Sequence, residues 1–142
     1  MREWSPTAMA KLGSLQNLRS LTFSFSSEAY AVNFYKGAKM LEELKNLDQL
    51  EVLKLRITRD YPCSMTNSNS LPVLKRVFQQ LKKLKEVDMY TTDYDDSLVV
   101  VLAENNPNLK VLCLRNYLRV TQDLVERLRK EHPSLDLRLD FY

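Results

Sequence analysis

The 142-residue chain is poor in the residues on which most small catalytic sites depend, with two glycines, two cysteines and one histidine. Gly13 and Gly37 cannot supply the glycine-rich turn that cradles phosphate groups. The single histidine, His132, stands before a proline at the predicted end of a helix, where a cation interacts favourably with the helix dipole. We therefore expect no enzyme activity, no catalytic residue and no cofactor.

Metal-binding patterns are also lacking. Cys63 and Cys113 have neither the spacing of metal ligands nor that of a disulfide framework. The acidic group of Asp93, Asp95 and Asp96 lacks the glycine and the distal glutamate of a calcium loop. Acids before an apolar stretch are typical of a helix N-terminus instead. We expect no metal site.

Long apolar runs are absent, since no stretch approaches the roughly 18 residues of a membrane span. The first six residues lack the apolar segment of a signal peptide. Net charge is +3, from 21 Lys and Arg against 18 Asp and Glu, which is too small to demand a polyanionic partner. These observations favour a cytoplasmic or nuclear protein without membrane contact, and they disfavour nucleic acid as its partner.

What the chain has in abundance is leucine, in a phrase L-x-x-L-x-x-L-x-L that occurs four times and once more in shortened form. The residues that open its final L-x-L are Leu21, Leu53, Val87, Leu112 and Leu137. They are separated by 32, 34, 25 and 25 residues. Leucine-rich repeats run from about 20 to 29 residues, so the last two intervals fit and the first two carry insertions. Such self-similarity predicts a solenoid, in which units bury their apolar faces by stacking.

Each unit should supply a short parallel strand and a crossover helix. The patterns predict helices over residues 6–15, 28–47, 71–83, 97–105 and 122–131, with Gly37 a weak point in the second. Serine or threonine precedes most of them as a predicted N-cap. Helices and strands alternate, so we predict an α/β fold. It is a single domain over residues 1–142, a solenoid of about five leucine-rich repeats with a curved parallel sheet and helices on the convex face.

The residues between the core leucines should point outwards onto the concave surface, because side chains alternate along a strand. One predicted column across the strands is Thr22, Lys54, Asp88, Cys113 and Arg138. The next column is Ser24, Arg56, Tyr90, Arg115 and Asp140. A tyrosine flanked by two arginines is a composition that binding hot spots favour. The alternative is that Lys54–Asp88 and Arg115–Asp140 are only cross-strand ion pairs on a wet sheet.

The connection over residues 58–69 is a second candidate for function. It is about as long as structureless loops usually become, and Tyr61 and Met65 would be unusual in an inert spacer. It would leave the second strand at the edge where the outward columns lie. The predicted protein-binding residues are therefore Lys54, Arg56, Asp88, Tyr90, Arg115, Arg138, Tyr61 and Met65.

Two further surfaces have simpler interpretations. The third predicted helix and the residues after it carry a basic cluster of Lys75, Arg76, Lys82, Lys83 and Lys85. It has no interleaved aromatic residues, so a solvated convex face is favoured over a nucleic-acid site. The last strand alternates leucines and ends at Tyr142. We expect its exposed edge to be covered by another chain or by missing residues.

The second half of the chain resembles the repeats of F-box leucine-rich-repeat proteins. The shared elements are the helices led by Asp96 and Thr121, the Pro-x-Leu before each strand at Pro107 and Pro133, and the L-x-L strands. The resemblance covers residues 93–142 well and residues 12–92 through leucine spacing. The first two units, residues 12–18 and 44–50, also resemble repeats of plant intracellular immune receptors. F-box membership would imply a substrate-recruiting role in protein ubiquitination.

We therefore expect an intracellular protein–protein interaction module, with target recognition for an F-box-type ubiquitin ligase component as the leading interpretation. A free-standing adaptor or scaffold is the alternative, and a nucleic-acid-binding solenoid is a further one that salt-dependent binding would reveal. No F-box lies within the chain. An F-box encoded upstream of Met1 would support ligase recruitment, whereas a natural start at Met1 would support the adaptor.

Overall fold

Five strands lie side by side in one sheet of the computed structural model, which describes residues 6–26, 41–58, 70–90, 95–115 and 120–140. The strands are β1 (Ser20–Ser26), β2 (Val52–Thr58), β3 (Glu86–Tyr90), β4 (Val111–Arg115) and β5 (Asp136–Asp140). Their order in the sheet is their order in the chain, and every neighbouring pair is parallel. The predicted α/β class with a parallel sheet is confirmed.

The helical elements precede or connect these strands. They are α1 (Pro6–Gly13), a 3₁₀ helix (Glu42–Asn46), α2 (Ser70–Gln80), α3 (Asp96–Asn105) and α4 (Gln122–Glu131). Crossovers between parallel strands are right-handed, so a sheet that follows chain order carries its crossovers on one face. No helix of the described ranges covers the opposite face, where Thr22, Ser24, Arg56 and Arg138 are exposed, and we call it the open face.

The described helices match the predicted ones most closely at the C-terminal end of the chain. α4 has the predicted bounds, and the Thr121 side chain accepts a hydrogen bond from Leu124 N–H as its N-cap. α3 begins one residue before the predicted Ser97, behind an Asp95 N-cap. α1 ends at Gly13, before the predicted Leu15. Side-chain caps thus mark where α3 and α4 begin.

Two helices depart from their predicted extents. α2 ends at Gln80, before the predicted Lys83, and beyond it Leu84 N–H donates to the side chain of Asn106 at 2.9 Å. Of the long helix predicted over residues 28–47, residues 28–40 lie outside the described ranges. Its C-terminal part is a 3₁₀ helix, whose tighter winding lets Leu44 and Leu47 both reach the core with no exposed surface.

The core lies between the helices and the inward leucines of the strands. Leu53, Leu55, Leu112 and Leu114 are completely buried, as the L-x-L pattern predicts. Full burial of such a side chain stabilises the fold by about 1.5–3 kcal/mol. In β5, Leu137 and Leu139 pack against the core but are only partly buried. The end of the sheet is therefore less well covered than its centre, as expected for a strand with one neighbour.

A recurring turn leads into the strands. Leu18, Leu50, Leu109 and Leu135 each donate a backbone hydrogen bond to the carbonyl three residues earlier, at 3.0–3.1 Å. In the third unit, Leu84 N–H is donated to the Asn106 side chain of the next unit. The side-chain amide of Asn106 also donates to Leu102 O at 3.0 Å. Asn106 is only 1% exposed. The buried side chain of Asn106 therefore links the third and fourth units through hydrogen bonds.

Candidate functional site on the open face

The strand register places the outward residues in the two predicted columns. Backbone pairing aligns Thr22, Lys54, Asp88, Cys113 and Arg138 across the five strands. It also aligns Ser24, Arg56, Tyr90, Arg115 and Asp140. Six of the eight predicted binding residues therefore share the open face. Tyr61 and Met65 lie outside the described residues.

Arg115 is held between two acids. Its Nε and Nη2 donate to the two carboxylate oxygens of Asp88 at 2.9 and 3.1 Å, and its Nη1 lies 3.4 Å from Asp140 Oδ2. The hydrogen bonds to Asp88 raise the pKa of the Arg115 guanidinium further. Asp88 is 14% exposed, so this two-point contact is partly shielded from water. Arg115 therefore orders the surface and does not offer a free guanidinium to a ligand.

The alternative ion-pair interpretation is right for one pair and wrong for the other. Arg115 does contact Asp140 across neighbouring strands. Lys54 pairs with Glu86 at 3.8 Å rather than with Asp88, whose carboxylate is occupied by Arg115. Arg115 and Asp140 stand directly opposite each other, whereas Lys54–Glu86 and Arg115–Asp88 are diagonal pairs, because long side chains can reach past the residue opposite them.

Arg56 and Tyr90 stand next to each other in register on β2 and β3. Arg56 is exposed and Tyr90 is partly buried. Among the described residues, the guanidinium of Arg56 has no hydrogen-bond or ion-pair partner, in contrast to Arg115. Of the two arginines predicted to flank the tyrosine, Arg56 is therefore the one that can receive a ligand.

Cys113 is buried although it belongs to an outward column, with 9% of its surface exposed. Burial, followed by the nearby Asp88 carboxylate, raises the pKa of the Cys113 thiol. The thiol is therefore protonated at neutral pH, and it is a poor nucleophile because the thiolate is the reactive form. Its position is explained by packing within the charged surface.

Chemistry elsewhere in the described ranges is limited. No group of three or more His, Cys, Asp or Glu side chains there could hold a metal ion. His132 is the C-cap of α4, at the predicted helix end, and its backbone N–H donates to Leu128 O at 2.9 Å. None of the described helices has the length and apolar character needed to cross a bilayer.

The basic cluster on the helix side is largely occupied by contacts between neighbouring units. Arg76 contacts Glu42, Lys83 donates to Gln49 at 2.8 Å, and Lys85 lies 3.2 Å from Glu51. Each pair is separated by 34 residues, the interval between the second and third leucine phrases. These contacts favour the solvated structural interpretation of the cluster over a ligand site.

Sequence reasoning missed a third outward column, which pairs Ser20, Val52, Glu86, Val111 and Asp136. Its Asp136 accepts two hydrogen bonds from Arg138 of the same strand, at 2.9 and 2.7 Å. The sequence could have predicted this column, because Glu86 and Asp136 directly precede the inward residues Val87 and Leu137, and side chains alternate along a strand. The two positively charged residues that β4 and β5 place on the open face, Arg115 and Arg138, therefore both contact acids.

The chain matches no protein-family model and no curated protein.

Proposed function

We propose that this chain is a leucine-rich-repeat module that binds a protein partner through the open face of its sheet. One observation carries the proposal: five consecutive strands hold their alternate, mostly polar side chains in register on the face that the described helices leave uncovered. Solenoid proteins use extended surfaces of this kind for recognition. Arg56 and Tyr90 near the middle of the face supply side chains that binding hot spots favour.

Within this class, target recognition for an F-box-type ubiquitin ligase component is the leading proposal. It is supported by the resemblance of residues 93–142 to F-box leucine-rich repeats, including the capped helices led by Asp96 and Thr121. A free-standing adaptor would use the same face. The two differ in whether the bound protein is handed to a ligase.

The charges of the open face favour a protein over a nucleic acid. The three columns contain four acids and four bases among the described residues. Acids at Glu86, Asp88 and Asp136 would repel a phosphate backbone that followed the sheet, whereas nucleic-acid binding is driven by clustered cations. Protein interfaces accommodate charges of both signs.

The test is capture of partners by the full chain and by a double variant, Arg56→Ala with Tyr90→Ala. Lys82→Ala is the matched control, because Lys82 is exposed after α2 and outside the open face. Substitutions at exposed positions such as Arg56 and Lys82 usually change stability by less than about 0.5 kcal/mol. Tyr90 is partly buried, so the melting temperature of the double variant is measured and capture is compared well below it. Quantitative mass spectrometry should show partners retained by the control and lost from the double variant.

Equal capture by the double variant would refute the proposed surface. Capture lost only on replacing Lys75, Lys82 and Lys83 would move the interface to the helix side. A recovered partner that is ubiquitinated in cells only when the full-length gene product is present would support the ligase proposal. A recovered partner whose ubiquitination is unaffected would favour the adaptor.

A further inference from the structure

The open face is divided into two halves of opposite charge. In the three columns, the outward positions of β1 and β2 are Ser20, Thr22, Ser24, Val52, Lys54 and Arg56, with a net charge of +2. Those of β3, β4 and β5 include four acids and two bases, a net charge of −2. The face as a whole is neutral, but each half has its own preference for a ligand.

We propose that the β1–β2 half is a recognition site for an extended acidic peptide segment, with Arg56 as its principal anchor and Lys54 as its second. This inference rests on the proposed protein-binding role and specifies the chemistry of the partner. Arg56 is exposed and has no partner among the described residues. Its planar guanidinium can donate two parallel hydrogen bonds to one carboxylate.

Lys54 can exchange its present partner, Glu86, for a ligand carboxylate. Its ammonium group lies 3.8 Å from Glu86, and the two side chains are 40% and 41% exposed. Exposed pairs of this kind contribute little to stability, so a peptide carboxylate can replace Glu86 at small cost. Arg115 differs, because its two-point contact with the 14% exposed Asp88 would have to be broken.

The spacing of the two cations matches an extended peptide. Lys54 and Arg56 are two residues apart on one strand, so their positions on the face are separated by about 6.6 Å. Acidic side chains at alternate positions of an extended peptide have the same separation. A peptide with Glu-x-Glu, aligned with β2, can therefore present one carboxylate to each cation.

Neutral hydrogen-bonding groups flank Arg56 on both sides, whereas Lys54 has a neutral neighbour on the β1 side and the acid Asp88 on the β3 side. Thr22 and Ser24 pair in register with Lys54 and Arg56 on one side, and both are exposed. Tyr90 pairs with Arg56 on the other side. Hydroxyl groups can donate to the remaining carboxylate lone pairs without adding charge. On the β3–β5 side the acids repel an acidic peptide, so they limit where it can lie.

The test uses the full chain and two fluorescent peptides that differ only in Glu-x-Glu against Gln-x-Gln. Fluorescence anisotropy is measured at about 0.01 M salt, where the Debye length is about 30 Å, and at about 0.15 M, where it is about 8 Å. We expect saturable binding of the Glu peptide, weakened by the higher salt, and at least about tenfold weaker binding of the Gln peptide. Arg56→Glu should weaken binding of the Glu peptide by at least about tenfold.

Arg138→Ala is the matched control, since Arg138 is an exposed arginine in the other half of the same face. Its removal should leave binding of the Glu peptide within about twofold. Absence of saturable binding at low salt, unchanged binding in Arg56→Glu, or an equal loss in Arg138→Ala would each overturn the proposal. Partners captured through Tyr90 but independently of Arg56 would overturn this inference while leaving the proposed protein-binding function in place.

Discussion

Asp96 and Thr121 join the starts of two successive helices through a pair of hydrogen bonds. Thr121 donates from its backbone N–H to Asp96 Oδ1 at 2.7 Å and from its hydroxyl to Oδ2 at 2.6 Å. The Thr121 hydroxyl oxygen also accepts from Leu124 N–H at 3.3 Å, which caps α4. One side chain therefore begins its own helix and attaches that helix to the preceding unit.

The coupling of these two residues can be measured with a double-mutant cycle. Asp96→Ala and Thr121→Ala should each destabilise the protein, and the double variant should lose less than the sum because the shared hydrogen bonds are counted once. We expect a coupling free energy of about 0.5–1.5 kcal/mol from denaturant unfolding. Thr121→Ser is the control, because serine keeps the hydroxyl. Strict additivity would show that the contact contributes nothing.

Substitution of the buried leucines should destabilise the protein regardless of any partner. Leu53→Ala and Leu112→Ala each remove a completely buried side chain, and should lower the free energy of unfolding by about 2–5 kcal/mol. Lys54→Ala, one residue along the same strand, should change it by less than about 0.5 kcal/mol. Normal thermal melts for both leucine variants would contradict the strand register, since a one-residue slip exchanges the two faces of the sheet.

Replacing Asn106 should show how much its contact with the preceding unit stabilises the protein. Asn106→Leu introduces the residue found at the equivalent turn positions Leu47 and Leu81, but it leaves Leu84 N–H without its acceptor. A buried donor without a partner costs about 1–3 kcal/mol. Asn108→Leu, the same change at an exposed position, is the control. Equal stability of the two variants in urea unfolding would refute the assigned role.

The contribution of Asp95 should depend on pH. Burial raises the pKa of this carboxyl, but hydrogen bonds from Ser97 and Leu98 N–H outweigh it, and with the nearby Lys75 they lower the pKa in the folded protein. Because the pKa is lower in the folded state, the ionised carboxyl stabilises the protein at pH values above the unfolded-state pKa of about 3.9. This contribution is lost as the pH falls through the folded-state pKa. Asp95→Asn retains an N-cap acceptor but cannot ionise there.

Urea unfolding at a series of pH values would test this. The wild-type protein should exceed Asp95→Asn in stability by a constant amount above about pH 5, and the difference should shrink below about pH 4. Asp95→Ala, which removes the cap as well, should be less stable than Asp95→Asn at every pH. A stability difference between wild type and Asp95→Asn that grows on acidification would have the wrong sign and would exclude the hydrogen-bonded carboxylate.

The sequence predicts the backbone of the open face better than its side-chain contacts. The alternation around each L-x-L motif is sufficient to place Lys54, Arg56 and Tyr90 outwards, because strand side chains have a period of two. It does not reveal that Arg115 reaches diagonally to Asp88, since that choice depends on side-chain conformation. The alternation equally does not reveal that Leu84 N–H, just beyond α2, donates to Asn106 of the following unit.

The buried thiol beside the Asp88–Arg115 contact gives the protein an internal reporter of surface opening. Cys113 can react with an alkylating reagent only when the surrounding side chains move apart and the thiol ionises. In a Cys63→Ser background, the alkylation rate therefore follows the opening motions that expose this thiol. The reaction turns a buried position of the open face into a kinetic measurement, and a ligand that binds over Cys113 would slow it.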